Sequence, residues 1–394
     1  MEENLEQITD IKILEKYSKD LDVGNRIKVA KNINTPSEIL EQLSNDEYEA
    51  VAIEICKNPN TQSNVLDKLA KQNKAYLYYV LANPNCTKEL LEKIFNKHIT
   101  KYNIQILSNP NCPDELINKT VNGSLRKGKK IELASHVKNE KFLKKISRYE
   151  DIAPFVLANT NSSADLIKDI LNRNLSNLDN SIYIGHCCEF FGESVFKNPN
   201  ITDEIINLVL DNSKNKRIPL EAARNPNTSE STLNKLLQNY FEDSPLDDVL
   251  IFNILRNKNT SSKTLEEIHN QTTRYDNHIA KHPNISVELL QDIIDSEKEV
   301  YDNSKTAALE SMAWHDDATP ELLEEIYTGI NNILLGIALN PNTSKTTLEQ
   351  ISKETKNEEI INALIKNPNT PQNSKEMLQG EINNIENNKE DIER

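Results

Sequence analysis

The stretch LANPNCTKELLEKI (81–94) returns in near copies about every 25 residues, and nothing else in the chain limits the fold as strongly. Take the first residue of each Asn-Pro-Asn-like turn as position 0. It falls at Asn32, Asn58, Asn83, Asn109, Ser135, Asn159, Asn198, Asn225, Asn257, His282, His315, Asn340 and Asn367. Most spacings lie between 24 and 27 residues, and three are longer, at 39, 32 and 33. A chain of 394 residues with 13 units in register reads as one repeat array carrying three insertions, rather than as two or three ordinary domains.

The other recurrent positions state what each unit is. Position −2 is apolar throughout (Ala30, Cys56, Leu81, Leu107, Leu133), and +8 and +11 are apolar in almost every unit. The second pair follows the i, i+3 spacing of one helix face, and the apolar pair at −3 and −2 ends a shorter helix before the turn. Each unit is therefore predicted as helix, corner, helix. A residue preceding proline is pushed out of the helical region, which stops the first helix at position 0, and Asn is suited to the left-handed or bridging backbone of a helix end. Position −1 is Lys or Arg in seven units (31, 57, 197, 224, 256, 281 and 366), which suits the negative end of the helix dipole. In TPSE (35–38) the expectation is a Thr35 cap, Pro36 at the first helical position and Glu38 closing a capping box; CPDE (112–115) has the same frame. A lone pair of short helices cannot bury its apolar stripe, so the units must stack into a solenoid.

The pattern LxxNPNTxxxLLxxL, seen in VLANPNCTKELLEKI, AARNPNTSESTLNKL, IALNPNTSKTTLEQI and LIKNPNTPQNSKEML, resembles the leucine-rich repeat variant family, which is HEAT-like in layout. The resemblance runs from about residue 32 to 378 and implies an all-α, right-handed superhelix of paired short helices, about 13 repeats long. It implies no single activity. The family's founding member carries an iron–sulfur segment ahead of its repeats; residues 1–31 hold no Cys, so no cofactor is expected. That leaves 1–31 as N-terminal capping helices, 32–378 as the repeat solenoid and 379–394 as a polar tail.

Composition bounds the function. The net charge is −15, with only 8 Gly and 5% aromatics, which disfavours phosphate-cradling loops and a chain-wide nucleic-acid footprint. No apolar run is long enough to span a bilayer, and the acidic start MEENLEQITD does not read as a secretion signal. Five Cys without framework spacing point to a reducing compartment, so the expected location is cytoplasmic. The Asn-, Lys- and Ile-rich usage points to a bacterial or phage source. No nucleophile elbow, phosphate loop or zinc-protease motif is present.

Three places carry candidate interaction residues. Between Lys119 and Arg148 ten Lys or Arg stand against two Glu, and Arg126, Lys127, Lys129, Lys130, Lys141, Lys144 and Lys145 are the candidates there. Such a cluster suits an acidic protein face or a phosphate-rich ligand, or else balances acidic neighbours. The 39-residue spacing holds the aromatic insertion with Tyr183, Phe190 and Phe191. AWHDDATPE (313–321) sets Trp314, the only Trp, beside His315, Asp316 and Asp317, but these fill ordinary corner positions. HCC (186–188) lacks the spacing of a metal site. The repeated Asn side chains are expected to bind corner backbone and neighbouring repeats. The leading expectation is a non-enzymatic scaffold that binds a protein partner, as an adaptor, inhibitor or recognition subunit. The alternatives are nucleic-acid binding through 119–148, in the extreme as a HEAT-like DNA glycosylase, and an acidic nucleic-acid mimic.

Overall fold

In the computed structural model the described residues are 5–98, 101–184, 187–243, 248–296 and 303–393, with side chains described outside 182–189, 240–247 and 384–393. The chain divides into two compact units, Met1–Ile218 and Pro219–Arg394. Each is a stack of short helix pairs, an α-solenoid in architecture, with one two-stranded hairpin inserted in the first.

In the first unit the leading helices of the pairs run Val23–Lys31, Glu49–Lys57, Leu77–Ala82, Asn103–Ser108, Lys127–His136 and Ala153–Leu157, then a 3-10 segment Gly192–Lys197. Each packs on the next, and so forms one row. The trailing helices, such as Ser63–Gln72, Lys88–Lys97, Asp114–Asn122 and Glu140–Ile146, form the other row. Apolar positions do what their spacing requires: Ile55, Cys56, Val80 and Leu81 close the leading row, and Leu66, Leu69 and Leu91 the trailing row, all fully buried. The helix Ile11–Ser18 covers the first pair. The second unit repeats the plan with leading helices Asp248–Arg256, Asp276–Ala280, Ser304–Trp314, Asn331–Leu339 and Glu358–Lys366.

The corners are built differently from expectation in three respects. Position 0 is neither left-handed nor bridging: Asn58 has φ −69° and ψ 126°, and Asn340 φ −66° and ψ 124°. This is the extended region that a following proline enforces. Thr35 is not a helix cap either. Its hydroxyl donates to Val29 O (2.6 Å), as Thr61 does to Ile55 O and Thr343 to Ile337 O, adding a donor to carbonyls in the last turn of the preceding helix. Capping falls one residue later, at Thr87, Ser163, Ser261 and Ser344, each accepting from a backbone N–H three residues on. Pro36 and Pro113 take that later position without a side-chain bond. Finally, the fifth corner stands at Val137, not Ser135: the helix Lys127–His136 runs through Ser135, and Val137 N–H closes its last turn on Leu133 O. A fully buried Val replaces the usual Asn there, so the sequence offered no amide to mark the register.

The longest spacing holds an antiparallel hairpin, Ser181–Ile184 paired with Cys187–Phe190 in the register Ser181 to Phe190. Its base is tied by Phe191 N–H to Asn180 O (3.0 Å) and Gly192 N–H to Leu178 O (2.9 Å). The second insertion lengthens a trailing helix, Glu230–Asp243, before 244–247, which lie outside the described residues, as do 297–302 of the third.

Candidate interaction surface

Which side chains remain free for a partner follows from how the corners use theirs. Asn58 Nδ2 donates to Ala30 O (2.8 Å) and Asn32 O (2.9 Å) of the preceding repeat. Asn83 repeats this on Cys56 O and Asn58 O, and Asn109 on Leu81 O and Asn83 O. Two residues on, Asn60 donates to Ile33 O (2.7 Å) and Thr35 O (3.1 Å), while its own N–H donates to Asn58 Oδ1 (2.9 Å). Asn58 is 2% exposed. A buried amide with every donor and acceptor engaged on backbone is structural, as its regular spacing suggested. His282 and His315 stand in for Asn with a neutral ring: Nε2 donates to Asn257 O (3.1 Å) or Ile285 O (3.0 Å), and Nδ1 accepts from the N–H of Asn284 or Asp317 (both 3.1 Å). Burial holds the His282 pKa below the ordinary imidazole value, opposed by its bond to Asn257.

Positions −3, −2 and 0 all face inward, so position −1 is left in solvent. In the second unit this row reads Arg224, Arg256, Lys281, Trp314, Leu339 and Lys366, all exposed. Arg224 lies at 4.0 Å from Glu221; among the described residues Arg256, Lys281 and Lys366 form no ion pair. The two cations Arg256 and Lys281 bear on His278, whose pKa is lowered by burial first and by their charges second. Trp314 is 52% exposed. Its indole rests on the next leading helix at Gly336, where an added Cβ would stand 2.8 Å from Trp314 Nε1 and from Ala313 Cβ. An open cavity of about 400 Å³ beside it is lined by Lys281, Glu310, Ser311, Trp314, Asn332 and Leu335.

The basic segment is spread over both rows. Lys127, Lys129 and Lys130 stand on a leading helix, and Lys141, Lys144 and Lys145 on a trailing one. Lys127 pairs with Asp151 (3.1 Å), Lys129 with Glu132 (2.8 Å) and Lys141 with Asp114 (3.5 Å). Lys145 donates to Asn118 (2.6 Å), and Lys130 Nζ lies 3.9 Å over the Tyr149 ring. Arg126 and Lys144 are exposed. In the insertion, Phe191 is buried core and Phe190 half-buried. The Tyr183 side chain and His186 lie outside the described residues.

The buried His269–Asp276 pair and the described thiols are closed off from solvent. His269 Nδ1 and Asp276 Oδ1 meet at 2.8 Å with both side chains buried, tying a trailing helix to the next leading one. Burial pushes the thiols of Cys56, Cys86 and Cys112 up to about 12. Among the described residues no group of three His, Cys, Asp or Glu is placed to hold a metal, and no helix is long and apolar enough to cross a membrane.

No known protein family matches the chain, and no curated protein does. Among solved structures an engineered protein is similar, with 15% identity over 96% of this chain and 99% of that chain, at a TM-score of 0.24. A likeness at that score carries no argument.

Sequence reasoning had read the cations at −1 as partners of the helix dipole. It missed that they line up in solvent with Trp314. The signal was present, since Trp314 stands at −1 as well and the repeated Asn at position 0 are expected to bond inward.

Proposed function

We propose that the protein is a non-enzymatic scaffold of the leucine-rich repeat variant kind, presenting an extended surface of its helix rows to a protein partner in the cytoplasm. The observation that carries this is the division of labour at the corners. The recurrent polar residues are consumed in bonds between repeats, and in the second unit position −1 of each repeat is left exposed and variable in residue type. Such a surface favours many shallow contacts over chemistry at one point. The internal pairing of Lys127, Lys129 and Lys141 with carboxylates supports a protein partner over nucleic acid for the 119–148 segment.

The test is affinity capture from native cell extract at low and high salt, with nuclease. A protein retained in stoichiometric amount after nuclease supports the scaffold. Recovery of nucleic acid alone, lost with salt and on reversing the charges of Lys127, Lys129 and Lys130, overturns it.

A further inference from the structure

We infer that the row Arg224, Arg256, Lys281, Trp314, Leu339, Lys366 is a docking strip for an extended acidic segment of a partner protein, one that carries apolar side chains between two groups of carboxylates. This rests on the scaffold reading and adds the chemistry of what is bound.

The first support is a contrast within the chain. At the same position in the first unit two of the three cations are neutralised: Lys31 pairs with Glu6 (2.9 Å) and Lys57 with Glu54 (2.7 Å). In the second unit Arg256, Lys281 and Lys366 are left without an ion pair among the described residues, although the chain has 61 acidic residues against 46 basic ones. Open cations on an acidic protein mark the place where a foreign carboxylate meets the least repulsion.

The second support is the apolar interval between them. Trp314 and Leu339 are 52% and 39% exposed and stand in successive repeats. The indole is seated by design of the backbone, because only a residue without Cβ at 336 lets it lie against that helix. The cavity beside it can take one aliphatic or aromatic side chain, with Lys281 at its edge. Trp in such a setting is the side chain that most often dominates a protein interface.

The third is pitch. Packed helices stand about 9 Å apart, which is about one three-residue turn of an extended polyproline II chain at ~3.1 Å per residue. A polyproline-II-like segment of about 16 residues, whose every third side chain shares one face, therefore offers one side chain to each of the six row positions. Nucleic acid fits less well: it carries a charge about every 3.4 Å along each strand, and between Lys281 and Lys366 the row supplies no cation while Glu310 lines the cavity.

Trp314 is the only Trp, so its emission reports on this strip alone. The probe is a pair of synthetic 16-residue peptides without Trp. One has carboxylates at its first, fourth, seventh and last positions, leucine at the tenth and thirteenth, and serine or glycine elsewhere; the other has the reverse order. We expect one of them to give a saturable blue shift of Trp314 emission that weakens in 0.5 M salt. Binding should fall at least tenfold in the double variant Arg256→Glu, Lys281→Glu, whose fold is checked by circular dichroism; both positions are exposed. No shift with either peptide, an equal shift in the double variant, or tighter binding of a dT20 oligonucleotide overturns the inference. So does self-association of the protein that the double variant abolishes, since a second copy then occupies the strip. Capture of the same extract protein by wild type and double variant alike would leave the scaffold standing and remove this strip from it.

Discussion

Replacing Asn340 puts the corner network to a direct test, because its amide holds the two residues that flank the fluorescent Trp314. Nδ2 donates to Ala313 O (3.1 Å) and His315 O (3.0 Å), and Oδ1 accepts from Asn342 N–H (3.0 Å), with the residue 5% exposed. Asn340→Ala deletes three neutral hydrogen bonds. At about 1 kcal/mol net each, the loss is about 3 kcal/mol, or more than a hundredfold in the unfolding constant. His315 O retains Ala318 N–H as a donor, which limits the cost of stranded carbonyls. Asn340→Asp is isosteric and harsher at neutral pH: it keeps the bond from Asn342 but turns a carboxylate toward two carbonyl oxygens in a buried site. That environment raises the carboxyl pKa in the folded state above its unfolded value of about 3.9. The stability it retains is therefore full below that unfolded value and is lost as pH rises through the folded one. Urea unfolding followed by Trp314 emission, for both variants and wild type at pH 7.5 and 4.5, reads the effect. An Ala variant within about 0.5 kcal/mol of wild type, or an Asp variant no worse than Ala at pH 7.5, would refute the claim that these amides hold the repeats together.

Other outcomes follow from single sites. His282 serves its corner only when neutral, and its folded pKa is depressed by burial, so its contribution is complete above about pH 6.5 and declines as pH falls through the folded value; His282→Asn should flatten the acid limb of the urea midpoint measured from pH 7.5 to 5. Gly336→Ala gains about 1 kcal/mol of helix propensity but sets a methyl 2.8 Å from Ala313 Cβ and the indole. Overpacking of about 1–3 kcal/mol should win, with Trp314 emission red-shifted and iodide quenching increased in the folded protein. The thiols of Cys56, Cys86 and Cys112, buried and pushed up to about 12, should stay unmodified by a disulfide reagent at pH 8 until urea unfolds the chain, as counted by intact mass. Thr61→Val keeps volume but removes one buried hydrogen bond to Ile55 O, which retains Asn58 N–H, and should cost about 0.5–1.5 kcal/mol in thermal or urea unfolding followed by circular dichroism.

The helix–corner–helix plan was legible because two kinds of constraint repeat in register. Apolar spacing marks the buried faces, and Asn-Pro marks a backbone that must leave the helix. What the sequence did not disclose was the division of tasks between neighbouring small polar residues. Thr at +3 and Ser or Thr at +4 have near-identical chemistry, yet one bonds backward to a carbonyl and the other caps forward; only the path of the chain through the corner decides which. The fifth corner escaped for a related reason. Val137 satisfies the burial required at position 0 but not its hydrogen bonding; Lys138 N–H donates to Ser108 Oγ (3.0 Å) of the preceding repeat instead, while Asn159 reaches back to Ala134 O and Val137 O. The functional surface was half visible. The residue types at −1 could be read directly, but their exposure in a row depends on inter-repeat amide bonds whose acceptors are backbone atoms, which leave no trace in residue identity.

Those acceptors have one more consequence. Each Asn reaches into the preceding repeat for carbonyl oxygens at positions −2 and 0, or at +1 and +3, groups that every residue type supplies. The joint between repeats therefore asks nothing of its neighbour's side chains at the corner. At the corner a repeat can be exchanged without a matching change next door, whereas a side chain that leans across the joint, as Trp314 does on Gly336, must move with its partner. The exposed residue that each unit carries travels with it, so the order of cations and apolar groups along the surface can be rewritten in inheritance one unit at a time while the joint stays the same.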